Sequence, residues 1–593
     1  MRSTSAIRAT NKAQSMNVNS FTYMTRFIII LSILGGLAAA MPDHAMGQDP
    51  FDLDEIKVIA PYEPTISDAF KITLNPRIDD TTQVRLAFDY DIRPEKIIIP
   101  FSLEPISPAR MRGEPLDKIY RGLVKGGYGT YSTPYFEGFF NSLRSNNHAL
   151  GLHLRHMSSG GGIEDRGFSG YSDNLAHFHG KRFFRRHTLD GALKYERNGV
   201  HYYGYMPGDY PEDHPLFAHV DTLDKKDIRQ VFNRFSGQLG FGTHHADSAR
   251  FRQQYNIGYH YLFDSYDAGE HHASFSGNLG SAISQDPFGM ADKQYFSLDA
   301  GVDFYRNSTT ADTLNTFLIS LEPKIWSKYG IFSFHLGINT SFELDSVSFF
   351  RAYPVFRTEV NLIERILVAH AGISGGLQKH SLHSMTRMNP FVQTMLPLKF
   401  MNVKSEIDVG IRGSVSDFLS YNLGVQNAVI DNHPFFVTDT AQVLNNQFTV
   451  VYDDVKRFHA RGELTAKFHE RFSTRFSVNY YQYMLTDQLE AWHTPTLKFA
   501  VNLKYNIQEK IILTADGYTR NQSFARMFDE QGNAFAREVH GFHLDASLGI
   551  EYRYSRLLSI FLNFNNISND PLERWLNYPT QKFNFLGGVT YAF

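Results

Sequence analysis

The residues with the clearest potential for chemistry are the 25 histidines, several of which lie close together in the chain. Four groups stand out: His153 and His156, His177 and His179, His244 and His245, and His271 and His272. Imidazole is a common ligand for transition metals. The chain has no cysteine, however, and none of these groups has the HExxH spacing of helical zinc sites. The histidines could form a metal site, or they could be ordinary polar residues of strands and loops. The sequence favours the second interpretation and predicts no cofactor and no metal.

Other catalytic patterns are also missing. The chain has no GxSxG elbow, no Walker loop and no glycine-rich dinucleotide turn. Single Ser, His and Asp residues occur throughout and do not exclude a triad. The sequence therefore predicts that the protein is not an enzyme.

The elements that must position these residues have a period of two. Apolar and polar residues alternate over 332–344, 472–480, 497–506 and 542–553. Side chains alternate across a strand, so each segment has one apolar and one polar face. Such runs exceed the usual strand of ~5–6 residues. They match the ~9–11 residues of a tilted membrane strand.

The last strand has the same pattern and ends the chain. Phe585, Val589, Tyr591 and Phe593 fall on one face, and Phe593 is the final residue. This strand resembles the final strand of bacterial outer-membrane β-barrels, where it acts as the assembly signal. The resemblance implies that role for these four residues, with the barrel-assembly machinery as a partner during biogenesis.

Composition agrees with a barrel. Aromatic residues make up 14% of the 593 residues and charged residues 20%, and the mean hydropathy is −0.31. A barrel strand is apolar only at every second residue, whereas a helical membrane protein needs long apolar runs. The net charge of −3 gives no reason to expect nucleic acid as a partner. Trp492, Trp575 and Trp326 are predicted to belong to aromatic girdles at the membrane interface.

Near the C-terminus, short and long links alternate, as periplasmic turns and outer loops do in outer-membrane barrels. Requiring that alternation throughout predicts an all-β fold, a transmembrane antiparallel barrel of about 22 strands, with residues 391–401 in a loop. The predicted pairs are 119–131 with 133–143, 148–157 with 173–184, 187–197 with 227–241, 249–264 with 270–282, 293–306 with 314–326, 330–344 with 347–361, 364–377 with 404–414, 418–430 with 456–468, 471–484 with 496–506, 509–520 with 541–554, and 557–567 with 580–593.

Two segments precede the barrel. Residues 1–47 are predicted to be a secretory signal peptide, because Arg26 precedes an apolar run that ends in small residues. Translation could also start downstream of residues 1–15, at Met16 or Met24. Residues 48–118 are rich in proline, which cannot donate to a sheet ladder. We expect an extended periplasmic or lumenal segment there, followed by the barrel over 119–593.

A barrel of this size, with its closing strand, resembles the TonB-dependent receptors, and its aromatic-rich style resembles their Bacteroidetes branch. That resemblance implies an outer-membrane protein of a Gram-negative cell. Asp54, Glu55, Ile56, Lys57, Val58 and Ile59 resemble a TonB box, which adds a strand to its energising partner. An ordinary linker is the alternative. The plug domain of that family is much larger than residues 48–118. This short segment therefore departs from the family pattern.

Two functions follow as hypotheses. The first is transport or uptake of an unidentified ligand by a receptor-like barrel, with residues 48–118 as a reduced plug. The second is a non-transporting structural subunit of an outer-membrane assembly, secretion or envelope complex. Outer-membrane enzymes form a third class, but they generally use smaller barrels. Besides lipid, the candidate partners are TonB, a surface lipoprotein and other subunits of an outer-membrane complex.

Overall fold

The structure, a computed structural model, describes residues 119–243, 251–283, 293–309, 312–345 and 348–593. The expected signal peptide, the Pro-rich segment, the TonB-box-like Asp54–Ile59, and His244 and His245 lie outside these residues. Within the described ranges, no helix is long and apolar enough to cross a membrane.

The described residues form one closed antiparallel barrel of 22 strands. Each strand pairs with the next barrel strand along the chain, and the first strand pairs with the last, Leu123 opposite Ala592. The predicted fold class and strand number are therefore confirmed. Residues 391–399 lie in a loop, as predicted, and the next strand begins at Phe400.

The first twelve barrel strands are β1 (Gly122–Gly129), β2 (Thr133–Asn141), β3 (His148–Ser159), β4 (Tyr171–Phe183), β5 (His187–His201), β6 (Arg229–Thr243), β7 (Arg252–Phe263), β8 (Gly269–Ile283), β9 (Lys293–Ser308), β10 (Thr313–Tyr329), β11 (Phe332–Leu344) and β12 (Ser348–Ile363). The remaining barrel strands are β13 (Leu367–Lys379), β14 (Phe400–Ser416), β15 (Leu419–Thr438), β16 (Phe448–Phe468), β17 (Phe472–Leu485), β18 (Leu497–Ile507), β19 (Ile511–Arg520), β22 (His543–Arg553), β23 (Leu558–Asn565) and β26 (Asn584–Ala592).

Short elements lie in the links. Two hairpins pair β20 (Ser523–Phe528) with β21 (Ala534–His540), and β24 (Glu573–Trp575) with β25 (Tyr578–Pro579). The helices are α1 (Phe217–Asp221) and α2 (Leu382–Met388), and a 3-10 turn covers Pro207–Asp209.

Alternation along the strands divides the barrel wall into two faces. Large apolar side chains such as Leu193, Ile257 and Leu336 are exposed on the outside. The inward positions carry polar pairs, for example Arg155 with Asp173 at 2.6 Å. An apolar exterior around a polar interior is the pattern of a barrel that crosses a lipid bilayer.

The two ends of the barrel differ in their links. At the end that holds the C-terminus, links are as short as Gly330–Ile331, between β10 and β11. At the opposite end, links extend over 202–228, 380–399, 521–542 and 566–583. Outer-membrane barrels keep short turns on the periplasmic side. The long-loop end is therefore the outer end.

Candidate ligand site beneath the outer loops

Loops from distant parts of the ring meet at the outer end. The Tyr202 hydroxyl, just after β5, donates to the carbonyl of Val392 at 2.9 Å. Asn446, between β15 and β16, donates to the Tyr202 carbonyl at 2.7 Å. Strands β5 and β15 are ten positions apart around the 22-strand ring, so their loops can meet only over the lumen. We call these loops (160–170, 202–228, 380–399, 439–447, 486–496, 521–542 and 566–583) the loop cap.

The loop cap has its own apolar core. The Tyr578 ring stacks on Phe391 with centroids 3.9 Å apart, and it packs edge-on against Tyr203 at 4.7 Å. Trp575 packs against Phe436 at 5.2 Å. Buried aromatic residues contribute large apolar areas, and here they join links that are far apart in sequence. The loops are therefore held as one packed layer.

This core corrects the prediction about tryptophan. Trp492 and Trp575 are 2% and 8% exposed and lie inside the loop cap, not at the lipid boundary. Trp326 lies on the inward face of β10, since its neighbour Ile325 is exposed outside. The physical reason is that long loops need an apolar core of their own to become ordered.

His493 connects several parts of the loop cap. Its Nε2 accepts from the backbone N–H of Leu576 at 3.2 Å, and its Nδ1 lies 3.0 Å from the carbonyl of Phe436. Only the neutral tautomer with a proton on Nδ1 satisfies both bonds. Burial, aided by the positive charge of Arg520, lowers the pKa of His493 to about 4. A charged imidazole would lose the bond to Leu576.

Helix α2 anchors the loop between β13 and β14 to the inner wall formed by β6, β7 and β8. Both oxygens of the buried Glu270 carboxylate accept from the start of this helix, from Leu382 N–H at 2.7 Å and His383 N–H at 3.2 Å. His260 Nε2 lies 3.0 Å from the same carboxylate. One turn further along the helix, Arg234 donates to Thr386 Oγ1 at 3.0 Å. The loop thus reaches across part of the lumen.

A cavity of about 390 Å³ lies beside the loop cap. Apolar walls come from Ile163, Phe391 and Leu572, and polar groups come from inward-facing strand ends and from the loop 566–583. Those polar residues are Tyr171, His201, Asp545, Asn565, Asn566, Thr580, Gln581 and Asn584. Its volume falls in the ~300–1,000 Å³ range of small-molecule sites.

One polar group of this cavity is unused. Most amides there bond to one another, as Asn565 does to Asn584 at 2.9 Å, or to backbone, as Gln581 does to Gly161 at 2.6 Å. The buried Asp545 Oδ1 has no hydrogen-bond partner among the described residues. A buried acceptor without a donor is costly. The residues around the Asp545 carboxylate, which lines this cavity, therefore satisfy it only in part.

The structure places the residues predicted for assembly on the lipid-facing side. Phe585, Val589, Tyr591 and Phe593 are all exposed on the outer face of β26. The carbonyl of Phe593 also accepts from the backbone N–H groups of Arg121 and Gly122, at 2.7 and 2.9 Å. The last residue thus completes the seam between the first and last strands. Its role as an assembly signal stays a prediction.

The histidine groups do not come together as one site. His153 faces the lumen and lies 3.0 Å from Glu137, while His156 faces outward, 2.6 Å from Asn174. His177 and His179 share the inner face, with rings 5.3 Å apart. His271 and His272 lie on opposite faces of β8. His272 lies 2.7 Å from Asp303 inside the barrel, whereas His271 lies 2.8 Å from the Tyr259 hydroxyl on the outside. Alternation explains each placement.

Sequence reasoning missed the loop cap and the cavity. Tyr202, Phe391, His493 and Tyr578 lie in links without a periodic pattern, and no spacing connects them. The sequence did contain one signal, because aromatic residues are concentrated in some links, as in Tyr202-Tyr203-Gly204-Tyr205. A loop surrounded by solvent would not need so many aromatic residues.

No known protein-family model matches the chain, and no curated protein matches it. Solved structures do. The FrpB iron transporter from Neisseria meningitidis matches with a TM-score of 0.61 at 9% identity, over 81% of this chain and 82% of that one. The ferric enterobactin receptor PfeA from Pseudomonas aeruginosa, in complex with enterobactin, gives 0.58 at 12% over 80% and 81%. The siderophore receptor PirA from Acinetobacter baumannii gives 0.59 at 10% over 81% of each. At these identities the likeness concerns the fold: the chain has the barrel architecture of outer-membrane receptors.

Proposed function

We propose that this protein is an outer-membrane receptor that takes up a small ligand through its barrel. The observation that carries the proposal is the loop cap with the cavity beside it. A barrel of ~22 strands leaves a wide lumen unless something fills it. Here the outer mouth is covered by packed loops, next to a cavity with the unpaired acceptor Asp545. A covered mouth above a polar cavity suits selective entry.

The ligand class is the first thing to test. The similar structures are described as an iron transporter and as siderophore receptors, so ferric siderophores, including ferric enterobactin, form the first panel. Two of the chain's three tryptophans lie in the loop cap, so binding there should quench intrinsic fluorescence. We expect saturable quenching by one panel member and weaker binding in Asp545→Asn. Absence of saturable quenching across the panel argues against ferric siderophores as the ligand.

We further propose that residues 48–118 act as a reduced plug and that Asp54–Ile59 engages TonB. Planar-bilayer conductance of the full chain and of a chain lacking 48–118 tests the first part. A large open conductance only after the deletion supports a plug, and unchanged closed behaviour counts against it. Deletion of 54–59 alone should abolish energised uptake in cells and leave ligand binding intact.

The second candidate is a fixed subunit of an outer-membrane assembly, secretion or envelope complex. The specific observation in its favour is that residues 48–118 are short for a plug domain. Copurification from membranes in mild detergent tests this alternative. Stable partners in stoichiometric amounts support the subunit, whereas a lone monomer that binds a ligand of the panel supports the receptor.

A further inference from the structure

We propose that His540, His543 and Asp570 form a binding site for a divalent transition metal of the zinc type, which ties two outer loops together. His540 ends β21, His543 begins β22, and Asp570 lies in the loop between β23 and β26. The site adds a function that uptake does not require, and it stands independently of the proposed receptor role.

The spacing of the ligand atoms fits a metal. One ligand atom of each residue lies within 4.8 Å of those of the other two. His543 Nδ1 is 3.2 Å from Asp570 Oδ2, and His540 Nε2 is 3.9 Å from Asp570 Oδ1. Zinc bonds of ~2.0–2.2 Å in tetrahedral geometry place ligand atoms about 3.3–3.6 Å apart. The two distances to Asp570 already lie within a few tenths of an ångström of that spacing, and the two histidine ligand atoms would have to close to it from a separation of at most 4.8 Å.

The surroundings favour a cation. His543 is 1% exposed, and the Asp570 side chain is about half exposed, so an ion can enter from solvent. The described ion pairs of Asp570 involve these two histidines and no lysine or arginine. The carboxylates of Asp545 and Glu573 act on His543 and His540 respectively. Arg166 and Arg537, both near Glu573, are the arginines among these electrostatic neighbours, and neither pairs with Asp570.

One feature indicates an incomplete arrangement without an ion. The contact between His540 and Asp570, at 3.9 Å, is too long for a hydrogen bond. The backbone near Asp570 is well fixed, because Asn566 Nδ2 donates to the Asp570 carbonyl at 3.1 Å. The carboxylate is therefore held beside two imidazoles that it only partly satisfies.

The ligand types select the metal. Two imidazoles and one carboxylate suit Zn²⁺ and its neighbours in the first transition row. Ca²⁺ and Mg²⁺ prefer six or more oxygen ligands and are disfavoured. Three protein ligands leave a fourth position for water or for a ligand atom. A bound ion would join the β20–β21 hairpin to the loop that carries Trp575 and Tyr578, and so would stiffen the loop cap.

Cobalt titration of the purified, metal-stripped full chain tests the site. Co²⁺ in a four-coordinate N/O site absorbs visible light, which gives a readout independent of uptake. We expect one Co²⁺ per chain, displaced by Zn²⁺ and not by Mg²⁺. Asp570→Asn and His540→Ala should each weaken binding by at least about tenfold. The double variant His177→Ala/His179→Ala, a histidine pair outside the site, should bind as the parent does.

Folding is checked by the mobility of unheated samples on SDS gels, where closed barrels keep their structure. A parent chain without saturable Co²⁺ binding at micromolar concentration would overturn the proposal. Equal loss in the His177/His179 variant would do the same. If Asp570→Asn fails to fold, limited proteolysis of the parent chain tests the site instead. Cleavage within 521–542 and 566–583 should be slower with Zn²⁺ than with EDTA. Equal cleavage rates in Zn²⁺ and in EDTA would contradict the site.

Discussion

At the scale of single residues, the effect of a substitution on stability depends on whether the side chain faces lipid or the lumen. Leu548 lies opposite Phe564, which lies opposite the exposed Phe585, so Leu548 faces lipid. Ser547 lies on the inner face. Leu548→Arg should cost about 2–4 kcal/mol near the bilayer midplane, whereas Ser547→Arg should cost much less. Urea unfolding in lipid vesicles measures both. Equal losses would mean that the facing assignment is wrong.

A second residue, Glu270, shows how one carboxylate fixes a loop. Glu270→Gln keeps the shape but replaces one of the two oxygens that accept from Leu382, His383 and His260. We expect a loss of roughly 1–3 kcal/mol in the local stability of α2, seen as faster hydrogen exchange at Leu382 and His383. Glu343→Gln is the matched control, because Glu343 pairs with Arg351 and not with the helix. Unchanged exchange in Glu270→Gln would show that other contacts hold α2.

At the scale of elements, the seam between β1 and β26 depends on glycine. Gly127 lies opposite Gly588 in the register, and a Cβ added at Gly588 would meet the ring of Phe561 at 2.7 Å. Phe561, on β23, faces inward and is nearly buried. An aromatic ring lying over strand glycines compensates for their missing side chains. The seam is thus narrow and covered from inside.

Removal of that ring should weaken closure of the barrel. Phe561→Ala is expected to lower stability by up to the ~3–5 kcal/mol typical of buried Phe→Ala changes. Ile560→Ala, on the adjacent outward position, provides the control. The temperature at which the barrel loses its gel mobility measures both variants. A larger effect at Ile560 would contradict the proposed covering of the seam.

The strands were predictable and the links were not, for a physical reason. Each strand of the barrel wall has lipid on one side and the lumen on the other. A segment such as Phe332–Leu344 therefore shows an alternation of apolar and polar residues that predicts a strand without any other information. The pairing of neighbouring strands and the closure of the barrel followed from pairing each strand with the next one along the chain and from an even number of strands. The loop cap depends on single contacts between distant residues, such as Tyr202 with Val392. No local period encodes such contacts, and the aromatic content of the links was misassigned to the membrane interface.

At the scale of the whole molecule, the loop cap should respond to pH. Of its histidines, His493 is buried and His380 and His383 are partly buried, and the loss of solvation lowers the pKa of each to about 4. For His383 the neighbouring His260 and Arg234 add to the effect. An exposed histidine titrates near 6.5. When folded pKa values are depressed, the opened state binds more protons, so the loop cap is most stable above pH 6.5 and loses stability as pH falls toward 4.

We therefore expect protease cleavage within 486–496 and 566–583, and single-channel conductance, to increase between about pH 6.5 and 4. His493→Gln tests the contribution of the most buried histidine, because glutamine offers one donor and one acceptor without a charge. This variant should keep the loop cap closed at neutral pH and show a shallower response to acid. His187→Gln, at the periplasmic start of β5, should respond as the parent does. If the acid response is the same in the parent and in His493→Gln, the bonds of His493 to Leu576 and Phe436 do not control opening, and the loop containing α2 becomes the element that gates the outer mouth.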